Sequence, residues 1–283
     1  MIHNYCVFIL SYGRANNIAT LDSLHKQGYV GEVFIVVSDD DPQLSKYKHN
    51  FKNSLVIFNR EKAVKATDTD FMDNMRDYSG VICARNYLFE IAKEKGFDYF
   101  IELDDDYKEF SYRFPSKGML LQRPIKDLNR AFDITFNFLD DSKAIVISWS
   151  QGGDLIGGLT GNYPHKILRK AMNSFFCKTD KPFKFFGRIN EDANMYCYYN
   201  SRGGLVLQVT DLMINQEVTQ RNEHGMTDLY LDYGTYLKSF YSVMIQPSSV
   251  TIRDMGVENF RPHHFINKDL TNPKIINQKY RKK

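Results

Sequence analysis

Little in this chain points to covalent or metal cross-linking: 283 residues contain 4 Cys and 8 Pro. Cys6, Cys83, Cys177 and Cys197 form no C-x-x-C pair, so buried free thiols are expected rather than disulfides or a zinc site. No apolar run approaches the ~20 residues needed to cross a bilayer. Met1-Ile2-His3-Asn4 leads directly into a strand-like segment without the pattern of a secretion signal. A cytoplasmic location and no membrane partner are therefore expected. Internal repeats and low-complexity linkers are also missing, which favours one continuous domain over residues 1–283. Neither sign of charge predominates: 37 Lys and Arg against 34 Asp and Glu give a net charge of +3, compatible with a phosphate-rich partner but not diagnostic of one. Aromatics are plentiful, with 18 Tyr and 21 Phe against a single Trp. The Lys/Asn/Tyr/Phe-rich composition suggests an AT-rich coding genome, bacterial or viral, and in the viral case the cytoplasm of a bacterial host. Oligomeric state leaves no trace in the sequence.

The first ~110 residues alternate strand and helix signals. Apolar runs at residues 5–10, 33–37 and 55–58 read as buried strands, and residues 18–27 and 81–95 as helices. Residues 61–80 lack periodicity and read as a loop or lid. Such alternation predicts an α/β fold with a mixed, mainly parallel central sheet flanked by helices. In the second half, residues 128–139 and 193–200 read as helices, and 144–149 and 205–209 as strands. That half is less regular, and the basic end from Pro262 to Lys283 reads as an ordered wrap fading into a mobile tail.

Ligands of such sheets sit at the carboxyl ends of the strands. Three polar clusters fall there: Ser11 to Arg14, Ser38 to Asp41, and Asp104-Asp105-Asp106. The last follows the apolar run Tyr99-Phe100-Ile101-Glu102-Leu103. A single acid there would read as a solvated corner or a helix cap. Three in succession read as a cation site, with Asp104 and Asp106 on one side of an extended chain as the ligands. A hard divalent cation held there would bridge a diphosphate and take up leaving-group charge. Asp105 is expected to face sugar or ribose hydroxyls, and Arg14 to grip the diphosphate. Asp39 is a candidate contact for a base or ribose, although Pro42 also suits a plain surface turn. Arg85 could lie under a nucleotide or form an ordinary salt bridge. Gly152 and Gly153 can bring backbone amides close to a sugar. In Gly187-Arg188-Ile189-Asn190-Glu191-Asp192 a glycine turn precedes two acids at a helix start. Those acids stabilise the helix dipole, and they also suit a general base for an acceptor hydroxyl, Asp192 ahead of Glu191. His263 and His264, in a polar stretch, are candidates to reach the cation or diphosphate.

Taken in order, Asp104-Asp105-Asp106, Gly152-Gly153, Asn190-Glu191-Asp192 and His263 or His264 resemble the landmarks of GT-A fold glycosyltransferases. These are a DxD, a glycine-rich loop, an acidic xED element and a C-terminal histidine. The resemblance implies a Rossmann-like GT-A sheet, a nucleotide-sugar donor, most often UDP-linked, and a divalent metal, Mn2+ or Mg2+. It implies a donor-binding half at 1–110 and an elaborated acceptor half with its tail at 111–283. A narrower resemblance lies in Phe8 to Asn17, Ile35 to Asp41 followed by Tyr47, Cys83-Ala84-Arg85-Asn86 and Gly187 to Asp192. These segments look like the TET-associated glycosyltransferases, which include phage enzymes and the base J glucosyltransferase. That likeness implies a hydroxymethylated pyrimidine in DNA as the acceptor.

A DNA acceptor requires cations for phosphates and a route to the base. Lys166, Arg169, Lys170, Lys178, Lys181, Lys184 and the tail from Lys274 are candidate phosphate contacts. Phe175, Phe176, Phe183, Phe185 and Phe186 interleave with them, though aromatic pairs more often belong to a core. Two other functions stay open: transfer to a polysaccharide or small glycan, and nucleotidyl transfer. For the latter, Ser11-Tyr12-Gly13-Arg14 is a sparse phosphate loop.

Overall fold

A computed structural model describes residues 2–67, 81–216, 226–255, 261–272 and 275–281, with side chains omitted at 226–235, 255 and 261. In chain order the strands and helices are β1 (Tyr5–Leu10), α1 (Ala19–Lys26), β2 (Glu32–Ser38), α2 (Leu44–Phe51), β3 (Leu55–Phe58), α3 (Arg60–Ala66), α4 (Ile82–Lys95), β4 (Tyr99–Asp104), β5 (Tyr107–Ser116), β6 (Met119–Pro124), α5 (Leu128–Ser142), β7 (Val146–Gln151), β8 (Ile167–Leu168), β9 (Ser174–Lys178), α6 (Glu191–Ser201), β10 (Val206–Gln216), α7 (Met226–Ile245), β11 (Val250–Met255), β12 (Arg261–Ile266) and α8 (Lys268–Thr271).

Ten strands form one mixed sheet in the order β3-β2-β1-β4-β9-β7-β10-β5-β6, with β8 beside β10. The order reverses at β1 and β4, which pair in parallel, Leu10 opposite Asp104. β1 is buried along its whole length because both faces of the sheet are covered. Cys6, Phe8 and Leu10 face a core shared with Ile82, Leu88, Phe89 and Ala92 of α4. Tyr5, Val7 and Ile9 face the opposite core, with Leu24 of α1 and Leu128, Phe132 and Phe136 of α5. The period-two alternation thus sends successive side chains into two separate cores. The four cysteines are free and buried.

Several segments differ from the sequence reading, each for a local reason. The stretch after Asp41, read as a surface turn, holds α2, whose Tyr47 is buried against the sheet. The unperiodic stretch opens with α3, capped by the Asn59 side chain accepting from the Lys62 N–H; residues 68–80 lie outside the described residues. β5 and β6 form an unforeseen hairpin around Lys117-Gly118, both at positive φ (47° and 74°), the geometry of a two-residue hairpin turn. β9 runs antiparallel between β4 and β7, and α7 supports the far side of α6. The His263–His264 pair sits on β12, a strand of a two-stranded sheet, and not in a polar loop. Lastly, β4 ends at Asp104 and residues 105–106 form the turn into β5. The extended-chain argument that put Asp104 and Asp106 on one side therefore fails; the turn sets their directions.

Candidate active site

The carboxyl end of β4 meets the start of α6 across one arginine. Arg85, on the buried face of α4, is 4% exposed. Its Nε donates to Glu102 Oε1 at 3.1 Å, its Nη2 to Asp104 Oδ1 at 3.2 Å and its Nη1 to Glu191 Oε1 at 2.5 Å. The guanidinium lies 5.0 Å from the Phe175 ring centroid and 5.6 Å from that of Phe185. A planar fork with several donors is the one side chain suited to three carboxylates at once. Arg85 is therefore the ion-pair partner of the acids, one of the two roles read from the sequence. Glu102 was missed. Its signal was legible, since an acid in an apolar strand two residues before Asp104 shares that residue's face.

The three acids of the turn point to different neighbours. Asp104 is partly open, its side chain 32% exposed, and the Tyr107 hydroxyl lies 3.0 Å from its Oδ2. Asp105 turns inward: Oδ1 accepts from Arg14 Nη1 at 2.7 Å and Oδ2 from Ser11 Oγ at 2.6 Å. In this structure it holds the β1 loop and does not face an open pocket. Tyr47 completes that arrangement, its hydroxyl 2.6 Å from Ser11 Oγ and accepting from the Arg14 N–H at 2.9 Å. The Asp106 carboxyl is pushed up to about 7, first by burial and then by the charges of Asp104 and Asp105.

The second acidic run, Asp39 to Asp41, is divided among structural tasks. Asp39 accepts from Asn59 Nδ2 at 2.6 Å and from the Arg60 N–H at 3.0 Å. Asp40 pairs with Arg60, while Asp41 accepts from the Gly13 N–H at 2.9 Å. The β1 loop and the end of β2 are thereby tied together at one edge of the site.

On the other side, α6 begins at Glu191 after Asn190 in the left-handed region (φ 55°). Asn190 Nδ2 donates to the Lys238 carbonyl at 2.8 Å, so α7 fixes the helix start. Gly187 has φ +75°, and a Cβ there would lie 2.5 Å from Tyr241 and 2.7 Å from Ile245. Gly187→Ala is accordingly expected to destabilise the fold by about 1–3 kcal/mol, read as a lower unfolding midpoint in a thermal melt. A midpoint equal to that of the parent chain would contradict this packing.

Asp192 is buried, and Oδ1 accepts from the Ala193 N–H at 2.6 Å. Burial raises its pKa, with Arg85 acting in the opposite sense. Glu191 is pushed up to about 7, again chiefly by burial. Gly152 and Gly153 open a short 3-10 turn, closed by the Gln151 N–H donating to Asp154 Oδ2 at 3.0 Å. Both glycines are exposed, and a Cβ on either would meet nothing within 4 Å. The fold itself does not require glycine there. Lys170 pairs with Asp154 and its charge also acts on Asp192.

The histidine pair lies on β12, paired to β11. Their rings stack at 4.4 Å, and burial with the charges of His263 and Lys238 lowers His264 to about 4. Among the described residues, no group of three or more His, Cys, Asp and Glu is arranged to hold a metal. Asp104 and Asp106 offer hard carboxylate oxygens of the kind Mn2+ or Mg2+ takes, and the charges of Asp104 and Asp105 beside Asp106 disfavour its ionised form, a repulsion that a bound cation would relieve. The residues present thus fit a cation held by one or two carboxylates together with ligand phosphates, rather than an all-protein cage.

Most DNA-contact candidates do other work. Phe175, Phe176, Phe183 and Phe185 are core residues, and Phe186 packs on Tyr198 with centroids 4.5 Å apart. Arg169 donates to Asn200 Oδ1 and the Gly204 carbonyl, Lys166 pairs with Asp211 at 2.7 Å and Lys178 with Asp140. Lys181 and Lys184 are exposed, while Lys274, Lys282 and Lys283 lie outside the described residues.

Residues 5–225 match the model of the TET-Associated Glycosyltransferase family, more than half of the chain. The chain belongs to that family. It is a glycosyltransferase with the GT-A fold. No curated protein gives a significant sequence match. Among solved structures, a mannosyltransferase from Pyrobaculum calidifontis, in complex with GDP-Man and Mn2+, is 14% identical with a TM-score of 0.50, over 78% of this chain and 58% of that one. Staphylococcus aureus TarS 1–349, in complex with UDP-GlcNAc, is 13% identical with a TM-score of 0.44, over 81% and 64%. Glucosyl-3-phosphoglycerate synthase from Mycobacterium tuberculosis, with Mn2+, UDP and phosphoglyceric acid, is 11% identical with a TM-score of 0.46, over 94% and 87%. The TET-associated chain thus spans less than two thirds of the TarS and mannosyltransferase chains. No helix among its described residues is long and apolar enough to cross a membrane.

Proposed function

We propose that this glycosyltransferase moves a sugar from a nucleotide-diphosphate sugar, UDP-linked, to the hydroxyl of a hydroxymethylated pyrimidine in DNA, in the cytoplasm. The observation that carries the reading is the Arg85 hub, which joins Asp104 to the Glu191–Asp192 helix start. A donor clamp and a candidate base thus share one partner at the sheet's switch point. The family match supports a DNA-base acceptor over a glycan, and a glycosyltransferase over a nucleotidyltransferase.

In this reading residues 1–110 hold the donor and 111–283 the acceptor within one domain. Asp104 and Asp106 would hold Mn2+ or Mg2+ beside the donor diphosphate. The metal supplies charge neutralisation for the departing nucleoside diphosphate. Arg14, fixed by Asp105, offers its remaining N–H groups to the diphosphate; its Nε is buried without a partner. Asp39 and its neighbours at the end of β2 border the base and ribose. Gly152 and Gly153 leave room for a sugar to approach the backbone. Glu191 is committed to Arg85, so Asp192 receives the acceptor proton in an inverting transfer and orients the hydroxyl in a retaining one.

The test is transfer from a panel of nucleotide sugars, with Mn2+ or Mg2+, to duplexes with and without 5-hydroxymethylpyrimidine and to glycan acceptors. Sugar is expected on the modified DNA alone, and lost on chelation. In parallel, Asp106→Asn is expected to weaken Mn2+ binding by calorimetry and to raise the donor KM about tenfold or more. Transfer to glycans and never to DNA would overturn the acceptor, and transfer unaffected by chelation would overturn the metal.

A further inference from the structure

The outer edge of the sheet carries a surface that the fold itself does not use. The β5–β6 hairpin lies beyond β10, and among the described residues no strand pairs with the other side of β6. Its register sets Tyr112 opposite Arg123, Phe114 opposite Leu121 and Ser116 opposite Met119, so these side chains share one face. That face is open: Tyr112 is 40% and Met119 58% exposed. The Tyr112 and Phe114 rings lie 5.6 Å apart, and the Arg123 guanidinium is 5.8 Å from the Phe114 centroid. The other face is closed, with Arg113 donating to the Met213 sulfur and Leu120 packed on Leu155, Tyr163 and Met213.

Edge strands are commonly blunted with charge or proline, and Pro124 and Arg123 do so here. Blunting does not account for an exposed tyrosine and methionine flanking the half-buried Phe114 and Leu121, a pattern that marks an interaction site. Charge selects the occupant. The hairpin, residues 107–124, contains Lys108, Arg113, Lys117 and Arg123 against one acid, Glu109; with Arg113 on the other face, Lys117 at the tip and Arg123 on the open face are the cations nearest the strip. Glu109 is engaged with Ser111 and Asn215. Cations beside an apolar strip suit a polyanion that also offers sugars and base edges, a duplex nucleic acid. A second copy of this chain would have to bring an acidic strip to that edge.

We propose that the Tyr112–Arg123 face docks the DNA flanking the acceptor base; this rests on the DNA-acceptor reading above. The spacing fits. β5 leaves the site at Tyr107, whose hydroxyl lies against Asp104. At ~3.3 Å per residue, Tyr112 lies about 17 Å and the hairpin tip about 33 Å along the strand. At ~3.4 Å per base pair, the hairpin follows the duplex over about five to ten pairs from the target base.

The experiment compares duplexes of about 6 and about 24 base pairs, each with one hydroxymethylated pyrimidine. The parent chain is expected to show a lower KM for the long duplex. In the Lys117→Gln/Arg123→Gln double variant the salt slope of long-duplex binding should flatten by about 2. Its long-duplex KM should rise about tenfold, with the short-duplex KM, donor hydrolysis and melting midpoint unchanged. Tyr112→Ala should weaken long-duplex binding severalfold without changing the salt slope. If the variants bind and glycosylate the long duplex like the parent, or if the parent's KM does not depend on length, the docking surface is overturned while the DNA acceptor stands. If the parent glycosylates neither duplex but does glycosylate glycans, the acceptor reading falls and the docking surface with it.

Discussion

Asp192→Asn is expected to lower kcat for sugar transfer by about 10²–10⁴-fold while leaving donor affinity near that of the parent chain. The substitution is nearly isosteric, and an amide oxygen can still accept from the Ala193 N–H that now binds Oδ1. The helix start is held independently, by Asn190 on α7 and by Glu191 on Arg85, so folding should survive. What is removed is a proton acceptor beside the carboxyl end of β4. Glu191 cannot readily replace it, because its carboxylate already takes the Arg85 Nη1 donor at 2.5 Å. Steady-state kinetics with saturating modified DNA would give kcat, and donor calorimetry would give affinity. A variant with parental kcat would show that Asp192 only caps its helix, the role that acids at helix N-termini ordinarily play. Glu191→Gln makes an informative contrast. It loses the charge on Arg85 and should show its effect first in stability.

Legibility followed the range of the interactions. The β1–α1–β2 and α4–β4 units could be read because each is a local run with strong periodicity, and their alternation fixed a parallel arrangement. The acids at the end of β4 stood out for the same local reason. What could not be read was anything set by distant partners. Asp105 looked like its neighbours, yet Ser11 and Arg14, more than 90 residues away, turn it inward. Arg85 looked like a surface helix residue; only the closure of α4 on β4 and α6 makes it a hub. Phe175 and Phe176 alternate across β9, one to each core, and nothing in Ser174–Lys178 says that this short strand inserts antiparallel between two others. The β5–β6 hairpin was passed over because its Lys-Gly turn lacks the Asn-Gly or Asp-Gly pair that announces a hairpin.

Arg85→Met should be the most destabilising single change in the site, costing about 3–5 kcal/mol. Methionine fills similar space between Phe175 and Phe185 but leaves Glu102, Asp104 and Glu191 without their shared cation. Lysine should recover only part of the loss, because one ammonium cannot present a planar fork to three carboxylates. The pH dependence tells this mechanism from simple loss of packing. Burial already pushes Glu102 up to about 8 and Glu191 to about 7, against Arg85, which lowers both. Each folded-state value lies above the ordinary carboxyl value, so between pH ~4.5 and ~8 the folded chain holds more protons than the unfolded one. These two groups therefore contribute stability at low pH that is lost as pH rises through that window. Without Arg85 both carboxyls shift further up, and the loss becomes steeper. The deficit of Arg85→Met relative to the parent should then be smaller at pH 5 than at pH 8, measured by urea unfolding at both values. Adding Glu102→Gln should restore part of the deficit at pH 8 and little at pH 5, since glutamine mimics the protonated acid. A deficit equal at both pH values would mean that Arg85 acts through its contacts with Phe175 and Phe185, and that the carboxylates do not depend on its charge.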